Sequence, residues 1–227
     1  MSNTKEKILT TALHLFAGNG FEAVSVSDIA GELGITKGAL YRHYQSKRDI
    51  FDHIIQRMYE IDAARSRRFA VPEEEYGTAP AAYRGVSVQS VREFTLAQFA
   101  FWTSDPFASD FRKMLSLERY RNAEMAELYR KCITAGPMAY MEDIFREMAA
   151  SGVLCDTAPA LLALEFYAPF YLLIELSGSN DETKRAAELL ESEIDRFFLC
   201  NSPGKKGEEK WNIRKVKSTT PLPSIKK

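Results

Sequence analysis

The feature that most constrains the fold of this chain is the segment at residues 25–47, which predicts two short helices joined by a tight turn. Ser25 is a good N-cap for the first helix, and Asp28 stands three residues later, where its carboxylate can complete a capping box. Gly34 ends that helix, because glycine reaches the left-handed conformation without strain. Thr36 can cap the second helix. A helix-turn-helix of this kind typically places its second helix in the major groove of DNA.

The second helix and the start of the following one form a cationic run, with four basic residues and no acidic residue between positions 36 and 48. These four are Lys37, Arg42, Lys47 and Arg48. Neutralisation of phosphates by such cations supplies much of the non-specific affinity for DNA. Gly38 and Ala39 allow close approach of the backbone, and Tyr41 and His43 can donate to phosphate oxygens. From the turn alone, an ordinary helical hairpin with a solvated basic face remains the alternative.

The residues on both sides of the turn carry a more specific pattern. The motifs are Gly20-Phe21, Val24-Ser25-Val26, Asp28-Ile29-Ala30, Leu33-Gly34-Ile35-Thr36-Lys37-Gly38-Ala39-Leu40-Tyr41-Arg42-His43-Tyr44 and Ser46-Lys47-Arg48-Asp49-Ile50-Phe51. Over about residues 4–55 they closely resemble the N-terminal domain of TetR-family transcriptional regulators. Five positions depart mildly from the usual pattern, and none of these changes removes a needed chemistry. They are Ser25 for Thr, Leu33 for Ala, Ile35 for Val, Thr36 for Ser and Tyr44 for Phe.

The resemblance implies a set of DNA-contacting residues. It makes Tyr41 and Lys47 the usual phosphate clamps. The seven residues that it assigns to the recognition helix are Thr36, Lys37, Gly38, Ala39, Tyr41, Arg42 and His43. Lys37 and Arg42 are the side chains most able to read guanine edges. The full predicted set is Ser25, Ser27, Thr36, Lys37, Gly38, Ala39, Tyr41, Arg42, His43 and Lys47.

Composition points to a soluble protein without a redox or metal centre. The three cysteines, Cys132, Cys155 and Cys200, are few and odd in number, which suits a reduced cytoplasm. The first residues are polar with no apolar leader after them, so we expect a cytoplasmic location. No Cys/His cluster has metal-ligand spacing, and no Gly-x-Ser-x-Gly motif or phosphate loop occurs. We therefore predict no metal, no cofactor, no catalytic residue and no enzymatic activity.

Charge is unevenly distributed along the chain. The net charge is +2 over residues 1–68, −9 over residues 69–200 and +6 over residues 201–227. An acidic body repels DNA, so contact should be confined to the N-terminal part and, at most, the tail. We divide the chain into a helix-turn-helix domain at 1–55, a helical ligand-binding and dimerisation domain at 56–200, and a basic, disordered tail that follows it.

Apolar spacing and breaker residues predict an all-α fold: an N-terminal three-helix helix-turn-helix domain followed by a C-terminal helical ligand-binding and dimerisation domain. A fourth helix should run from about 47 to 68 and act as a lever between the two domains. Residues 71–86 are predicted to form a loop or linker. The first helix is expected at about 5–17 and the later helices at about 87–103, 107–117, 122–150, 157–178 and 181–199.

Residues 158–176 are apolar nearly all round. A membrane span is one interpretation, but Glu165 and Glu175 lie inside a stretch that is barely long enough. A helix buried on both sides fits better. Together with residues 181–199 it could form half of an intersubunit four-helix bundle. The family resemblance implies this homodimer, formed through helices near 157–178 and 181–199, and its two-fold symmetry would match a pseudo-palindromic DNA operator.

Aromatic residues and methionines are dense between positions 94 and 171, which suits an adaptable apolar pocket for a small-molecule effector. A plain helical core is the alternative. A carboxylate at position 165 needs a partner, which could be a cationic ligand, an arginine such as Arg119 or Arg121, or the dimer seam. The predicted ligand-binding residues are Phe99, Trp102, Met125, Tyr129, Met141, Glu165 and Phe166.

The sequence thus predicts a ligand-responsive transcriptional regulator, and repressors are the most frequent kind in this family. A second hypothesis is a protein of the same fold that acts through protein partners, as a coactivator or nucleoid-associated factor. A discrete palindromic binding site would favour the first hypothesis over the second.

Overall fold

The computed structural model describes residues 3–73, 75 and 77–204, and within these residues its secondary structure is all α-helical, as predicted. The predicted basic tail lies outside the described residues from position 205 onward. The helices are α1 (Asn3–Asn19), α2 (Val26–Glu32), α3 (Lys37–Tyr41), α4 (Lys47–Arg68), α5 (Pro80–Tyr83), α6 (Val88–Ser104), α7 (Pro106–Glu118), α8 (Ala123–Ile133), α9 (Ala135–Ala150), α10 (Pro159–Leu176) and α11 (Asn180–Asn201).

The four N-terminal helices pack around a core that continues into the rest of the chain. Ile29 of α2, Leu40 of α3 and Phe51 of α4 are fully or almost fully buried in one hydrophobic cluster. The same cluster includes Phe111 of α7 and Met125 of α8. The helix-turn-helix unit therefore has no separate core, and a shift of α7 or α8 would be felt by its packing.

Helix α4 spans the residues predicted for the lever helix and joins the two halves of the chain. Ile54, in its first half, is buried in the N-terminal cluster. In its second half, Arg65 Nε donates to Gln98 Oε1 of α6 at 3.2 Å, and Gln98 Nε2 donates to Asp62 Oδ1 at 3.2 Å. The division that we predicted after residue 55 falls inside this continuous helix.

A second hydrophobic cluster joins α6, α9, α10 and α11. At its centre Phe145 of α9, Phe166 of α10 and Phe197 of α11 pack together, with ring centroids 4.9 to 5.2 Å apart. Aromatic pairs in edge-on or tilted contact add to the burial of apolar area. This cluster fixes α10 against α11.

The prediction of a single helix over 122–150 was wrong. Helix α8 ends at Ile133, and α9 begins at Ala135 after Thr134, whose φ of −124° and ψ of −88° are not helical. The cause is Pro137, which has no N–H to donate to the carbonyl of Ile133 and would clash with it in a continuous helix. The Tyr167 hydroxyl donates to that carbonyl at 2.6 Å instead.

The segment at 71–86, predicted as a loop, contains the four-residue helix α5. Pro80 stands at its start, where the missing N–H costs nothing. Tyr83 is buried in the second cluster and packs edge-on against Tyr140, with ring centroids 5.9 Å apart. This contact folds the segment back onto α9.

Within the single chain, helix α10 is buried on one side only, so its predicted burial on both sides depends on the predicted homodimer and stays a prediction. Its inner face, which includes Leu162, Phe166 and Phe170, is buried in the second cluster. Its outer face exposes four leucines, Leu161, Leu164, Leu172 and Leu176, with 52 to 60% of each residue accessible. By length and composition alone α10 could cross a membrane, although a third of that window is buried within the protein.

Replacing Gly20 with alanine is expected to lower the free energy of unfolding by about 1–3 kcal/mol. Gly20 follows α1 with φ of +88°, a conformation that alanine adopts only with strain. A Cβ at this position would also lie 2.5 Å from Oε1 of the buried Glu118, so that carboxylate would have to move. Chemical denaturation of the variant measures the loss.

Two further alanine variants separate the effect of backbone strain from that of the close contact with Glu118. Gly18 lies in α1 with open space around it, so Gly18→Ala should leave stability unchanged or raise it. Gly34 has φ of +64° with nothing within 4 Å, so Gly34→Ala reports the backbone strain alone. A Gly20→Ala loss no larger than that of Gly34→Ala would show that the Glu118 contact does not matter.

Candidate DNA-binding site

Helix α2 begins with the predicted capping box. The amide of Asp28 donates to Ser25 Oγ at 3.2 Å, and the amide of Ser25 donates to Asp28 Oδ2 at 2.7 Å. These hydrogen bonds from Ser25 hold the pKa of the Asp28 carboxyl below its usual value. Ser27 is exposed on the first turn of α2. The cap fixes where this helix begins and so fixes the position of Ser27.

The turn between α2 and α3 is closed by backbone hydrogen bonds. Gly34 has φ of +64°, and its amide and that of Ile35 return to the last turn of α2 at 3.0 Å each. Thr36 then caps α3 as predicted, accepting from the amide of Ala39 at 3.1 Å. These contacts set the direction of α3.

Helix α3 presents one face to the core and the other to solvent. Leu40 is fully buried, while Thr36, Lys37, Gly38, Tyr41 and Arg42 are exposed. Ala39 and His43 are half-buried. The helix is shorter than the recognition segment implied by the resemblance, because it ends at Tyr41 with Arg42 as C-cap. The exposed face has the small and cationic side chains that a groove-reading surface needs.

The four cations of this region are not equivalent. Lys37 Nζ lies 5.9 Å from the ring centroid of Tyr41, and the Arg42 side chain makes no hydrogen bond or ion pair with any residue that the structure describes. Lys47 Nζ instead donates to the carbonyls of Phe21 at 2.8 Å and Glu22 at 3.3 Å. Lys37 and Arg42 therefore present their charges to solvent, whereas the half-buried Lys47 commits two of its three N–H donors to the protein and has one left for a phosphate.

Contacts between the N-terminal helices and the rest of the chain were not predicted from the sequence. Arg48 of α4 forms two hydrogen bonds with Glu124 of α8, both 2.6 Å long. His14 Nδ1 of α1 lies 2.9 Å from Asp110 Oδ2 of α7. The partners are 76 and 96 residues apart in sequence, so no local pattern could have indicated them.

The predicted ligand-binding residues do not form one group. Phe99, Met141 and Phe166 belong to the second cluster, whereas Met125 and Tyr129 belong to the N-terminal cluster. Trp102 packs against both clusters. The Tyr129 hydroxyl lies 2.9 Å from the Tyr171 hydroxyl, and burial raises the pKa of Tyr129 above its usual value.

Glu165 has a different partner from the arginines that we considered. It lies on the exposed outer side of α10, with Oε1 3.5 Å from Arg196 Nη2 of α11 and Oε2 3.4 Å from Asn201 Nδ2. Arg119 instead stacks on Tyr129, with its Cζ 4.3 Å from the ring centroid. The C-terminal helix brings an arginine beside Glu165, and its position could not be derived from α10 alone.

Two surface cavities lie along the contact between α1 and α7, one of about 300 Å³ and one of about 170 Å³. They flank the pair of His14 and Asp110. None of the predicted ligand-binding residues lines either cavity. Within the described residues, no group of three or more His, Cys, Asp or Glu side chains is arranged to hold a metal ion.

Residues 8–54 match the family model described as "Bacterial regulatory proteins, tetR family". They are a TetR-type helix-turn-helix domain, as the resemblance implied. A curated relative, the uncharacterized HTH-type transcriptional regulator YerO of Bacillus subtilis (strain 168), is 49% identical over 47 residues, which are 21% of this chain and 16% of that protein. The alignments with the first curated relatives cover only 16 to 31% of those proteins.

Several solved structures align with this chain over most of their own length. Salmonella enterica GusR is 25% identical with a TM-score of 0.57, covering 88% of this chain and 98% of that one. SmeT in complex with triclosan is 19% identical with a TM-score of 0.61, covering 88% and 93%. SmeT is described as the repressor of the Stenotrophomonas maltophilia multidrug efflux pump SmeDEF. The likeness to SmeT shows a shared fold for the N-terminal and C-terminal helices.

Proposed function

We propose that this chain, through its TetR-type N-terminal domain, is a ligand-responsive transcriptional repressor that binds a pseudo-palindromic operator as a homodimer. The observation that carries the proposal is the exposed face of α3, which presents Lys37, Tyr41 and Arg42 on a buried helix-turn-helix core. Acidic residues dominate the body at 69–200, which favours DNA contact by the N-terminal helices. We expect the protein to act in the cytoplasm.

In this proposal the DNA-contacting residues have distinct roles. Lys37 and Arg42 read base edges in the major groove. Gly38 and Ala39 let the backbone approach, while the remaining residues position the domain on phosphates. These positioning residues are Ser25, Ser27, Thr36, Tyr41, His43 and Lys47.

The proposed homodimer forms through the exposed leucines of α10 together with the outer face of α11, where Leu189 and Leu199 are also exposed. Isologous contact of these helices gives a four-helix seam. The two α3 helices then address two half-sites, with a spacing set by the dimer geometry.

A small molecule bound among the helices beyond α4 would release the operator by favouring a dimer of different geometry. Support comes from Trp102, which packs against both hydrophobic clusters, so that a ligand beside it can shift one cluster relative to the other. The SmeT complex with triclosan shows a ligand on this fold in a relative. A melting screen against a chemical library, followed by operator release, would identify the effector.

Selection of bound duplexes from a random DNA pool tests the DNA-binding proposal directly. We expect enrichment of one palindromic motif whose half-sites lie about one helical turn apart, centre to centre. Binding without sequence preference would instead favour the nucleoid-associated alternative. Absence of DNA binding would favour a coactivator that acts through protein partners.

Tyr41→Phe is expected to weaken binding about three- to tenfold on every DNA sequence, because it removes a hydroxyl donor to phosphate without changing base readout. Affinity for the selected operator and for a scrambled duplex should fall by the same factor at fixed salt. Tyr59→Phe, at an exposed tyrosine of α4, is the matched control. A loss confined to the operator would contradict the assignment of Tyr41 to phosphate.

Lys47→Ala should also weaken binding to all sequences, but with an added loss of stability. Its ammonium group bonds to the Phe21 and Glu22 carbonyls and lies 4.4 Å from the Phe21 ring centroid. The melting temperature of this variant should therefore fall, whereas that of Tyr41→Phe should not.

A further inference from the structure

The ion pair between Arg48 and Glu124 links the start of α4 to the start of α8. Arg48 Nη1 and Nη2 donate to Glu124 Oε2 and Oε1, each at 2.6 Å, and Arg48 Nε donates to Asp52 Oδ1 at 2.8 Å. The pair holds the pKa of the Glu124 carboxyl below its usual value. One face of the guanidinium group also lies over the Phe51 ring, 5.3 Å from its centroid. Arg48 therefore commits three of its five N–H donors to contacts within the protein, and both of its Nη groups are bound to Glu124.

Arg48 stands beside the proposed phosphate-binding residues. It follows Lys47 in the first turn of α4, after the N-cap Ser46, whose hydroxyl accepts from the Asp49 amide at 3.0 Å. A helix start of this kind favours anions, and the adjoining residue is the expected phosphate clamp. Arginine can bind a phosphate through two parallel N–H···O hydrogen bonds, in the same bidentate geometry with which it binds a carboxylate.

We propose that Arg48 is a DNA-backbone-binding residue that Glu124 withholds, so that release of Glu124 adds one phosphate contact per protomer. The inference rests on the proposed DNA binding by the N-terminal domain. Asp52 would remain hydrogen-bonded to Arg48 Nε. The freed Nη1 and Nη2 groups would then stay near the start of α4, where they could donate to a phosphate.

A DNA phosphate can reach Arg48 because the ion pair between Arg48 and Glu124 lies at the protein surface. The Arg48 and Glu124 side chains remain 53% and 44% exposed, and pairs of that exposure contribute little to stability. Exchange of the carboxylate for a phosphate is therefore close to neutral while Glu124 is in place, and it becomes favourable once Glu124 is displaced or loses its charge.

Helix α8 is placed to control this exchange. Next to Glu124 it carries Met125, and one turn further on Tyr129, both buried in the cluster shared with the N-terminal helices. Both residues belong to the set that we predicted to bind a ligand. A displacement of α8 would thus change the number of phosphates that the N-terminal domain neutralises.

The test measures affinity for a duplex of arbitrary sequence over a series of salt concentrations, using the full-length protein. Glu124→Gln is expected to bind about three- to tenfold more tightly, with a salt dependence of log K steeper by about 0.9 per added phosphate contact. Arg48→Gln in the wild-type background should change affinity little, because Arg48 is already withheld. Adding Arg48→Gln to Glu124→Gln should abolish the gain.

Glu127→Gln is the matched control, since it removes the same charge from α8, where Glu127 pairs only with Arg130 among the described residues. Equal affinities for Glu124→Gln and Glu127→Gln, or a gain that survives loss of Arg48, would overturn the inference. Arg48→Gln weakening the wild type strongly would also overturn it, and this arm does not require the Glu124 variant to fold. If the wild type bound no DNA at all, the proposed function itself would fail.

Discussion

Replacing both Leu164 and Leu172 with glutamate is expected to convert the proposed homodimer to a monomer. Both side chains are more than half exposed on the outer face of α10, in an apolar row that continues to Leu161 and Leu176. Burial of a leucine contributes about 1.5–3 kcal/mol, and each leucine counts twice across a two-fold axis. A buried, unpaired carboxylate adds a large cost in the same place. The dimer dissociation constant should rise by several orders of magnitude.

Sedimentation or light scattering measures this effect directly, as a change from twice to once the 25.7 kDa chain mass. Leu117→Glu is the control, because Leu117 is a leucine of similar exposure that belongs to α7 and not to the two helices of the proposed interface. The double variant should retain its helical content, since both side chains project away from the core. A wild-type dimer that survives the double substitution would show that the interface lies elsewhere.

The loss of dimerisation should carry over to DNA binding. A monomer can engage one half-site only, so its affinity for the selected palindrome should approach that for a single half-site. Binding to an isolated half-site should be unchanged, because α3 and its caps are far along the chain from α10 and pack in a different cluster. Comparing affinity for the palindrome with affinity for the isolated half-site separates a loss of dimerisation from a loss of base recognition.

The helix-turn-helix was readable from the sequence because its determinants are local. The caps of Ser25, Thr36 and Ser46 each act within three residues, and all three are present in the structure. The left-handed Gly34 acts on the adjoining turn. Determinants of this range are visible in a single sequence without any knowledge of tertiary contacts.

The errors have longer-range or overlooked causes. Pro137 was visible in the sequence, but the prediction of one helix over 122–150 took no account of its missing N–H. Glu165 was correctly expected to need a partner, yet Arg196 lies 31 residues away and reaches it only because α11 packs on α10. The outer face of α10 is exposed in the single chain, because apolar composition predicts that a face is covered but does not say whether the same chain or a partner covers it.

The candidate DNA site shows the same limit. Counting cations between positions 36 and 48 treats Lys37, Arg42, Lys47 and Arg48 alike. Two of them are held by groups distant in sequence, since Lys47 bonds to Phe21 at a separation of 26 residues and Arg48 bonds to Glu124 at 76. Charge pattern therefore indicates the DNA-binding region, whereas only the fold distinguishes the free cations from the engaged ones.

Arg42→Ala and Lys37→Ala are accordingly expected to cause the largest losses of specific DNA binding. A well-placed base contact is worth about 1–3 kcal/mol, and each substitution acts in both half-sites of a dimer. The two half-sites together lose about 2–6 kcal/mol, so operator affinity should fall by about thirtyfold to twenty-thousandfold per variant. Stability and dimerisation should not change, because both side chains are exposed and Arg42 has no ion pair among the described residues.

Measurement at one fixed salt concentration, on the selected operator and on a scrambled duplex, separates base reading from simple loss of charge. Each substitution removes one positive charge per protomer, which weakens binding to both duplexes alike. The loss of a base contact affects only the operator, so the operator loss should clearly exceed the loss on the scrambled duplex. Lys184→Ala, which removes a charge from an exposed position on α11, should affect neither duplex measurably. Unchanged operator affinity in both N-terminal variants would mean that α3 does not read the DNA, whatever the other helices contribute.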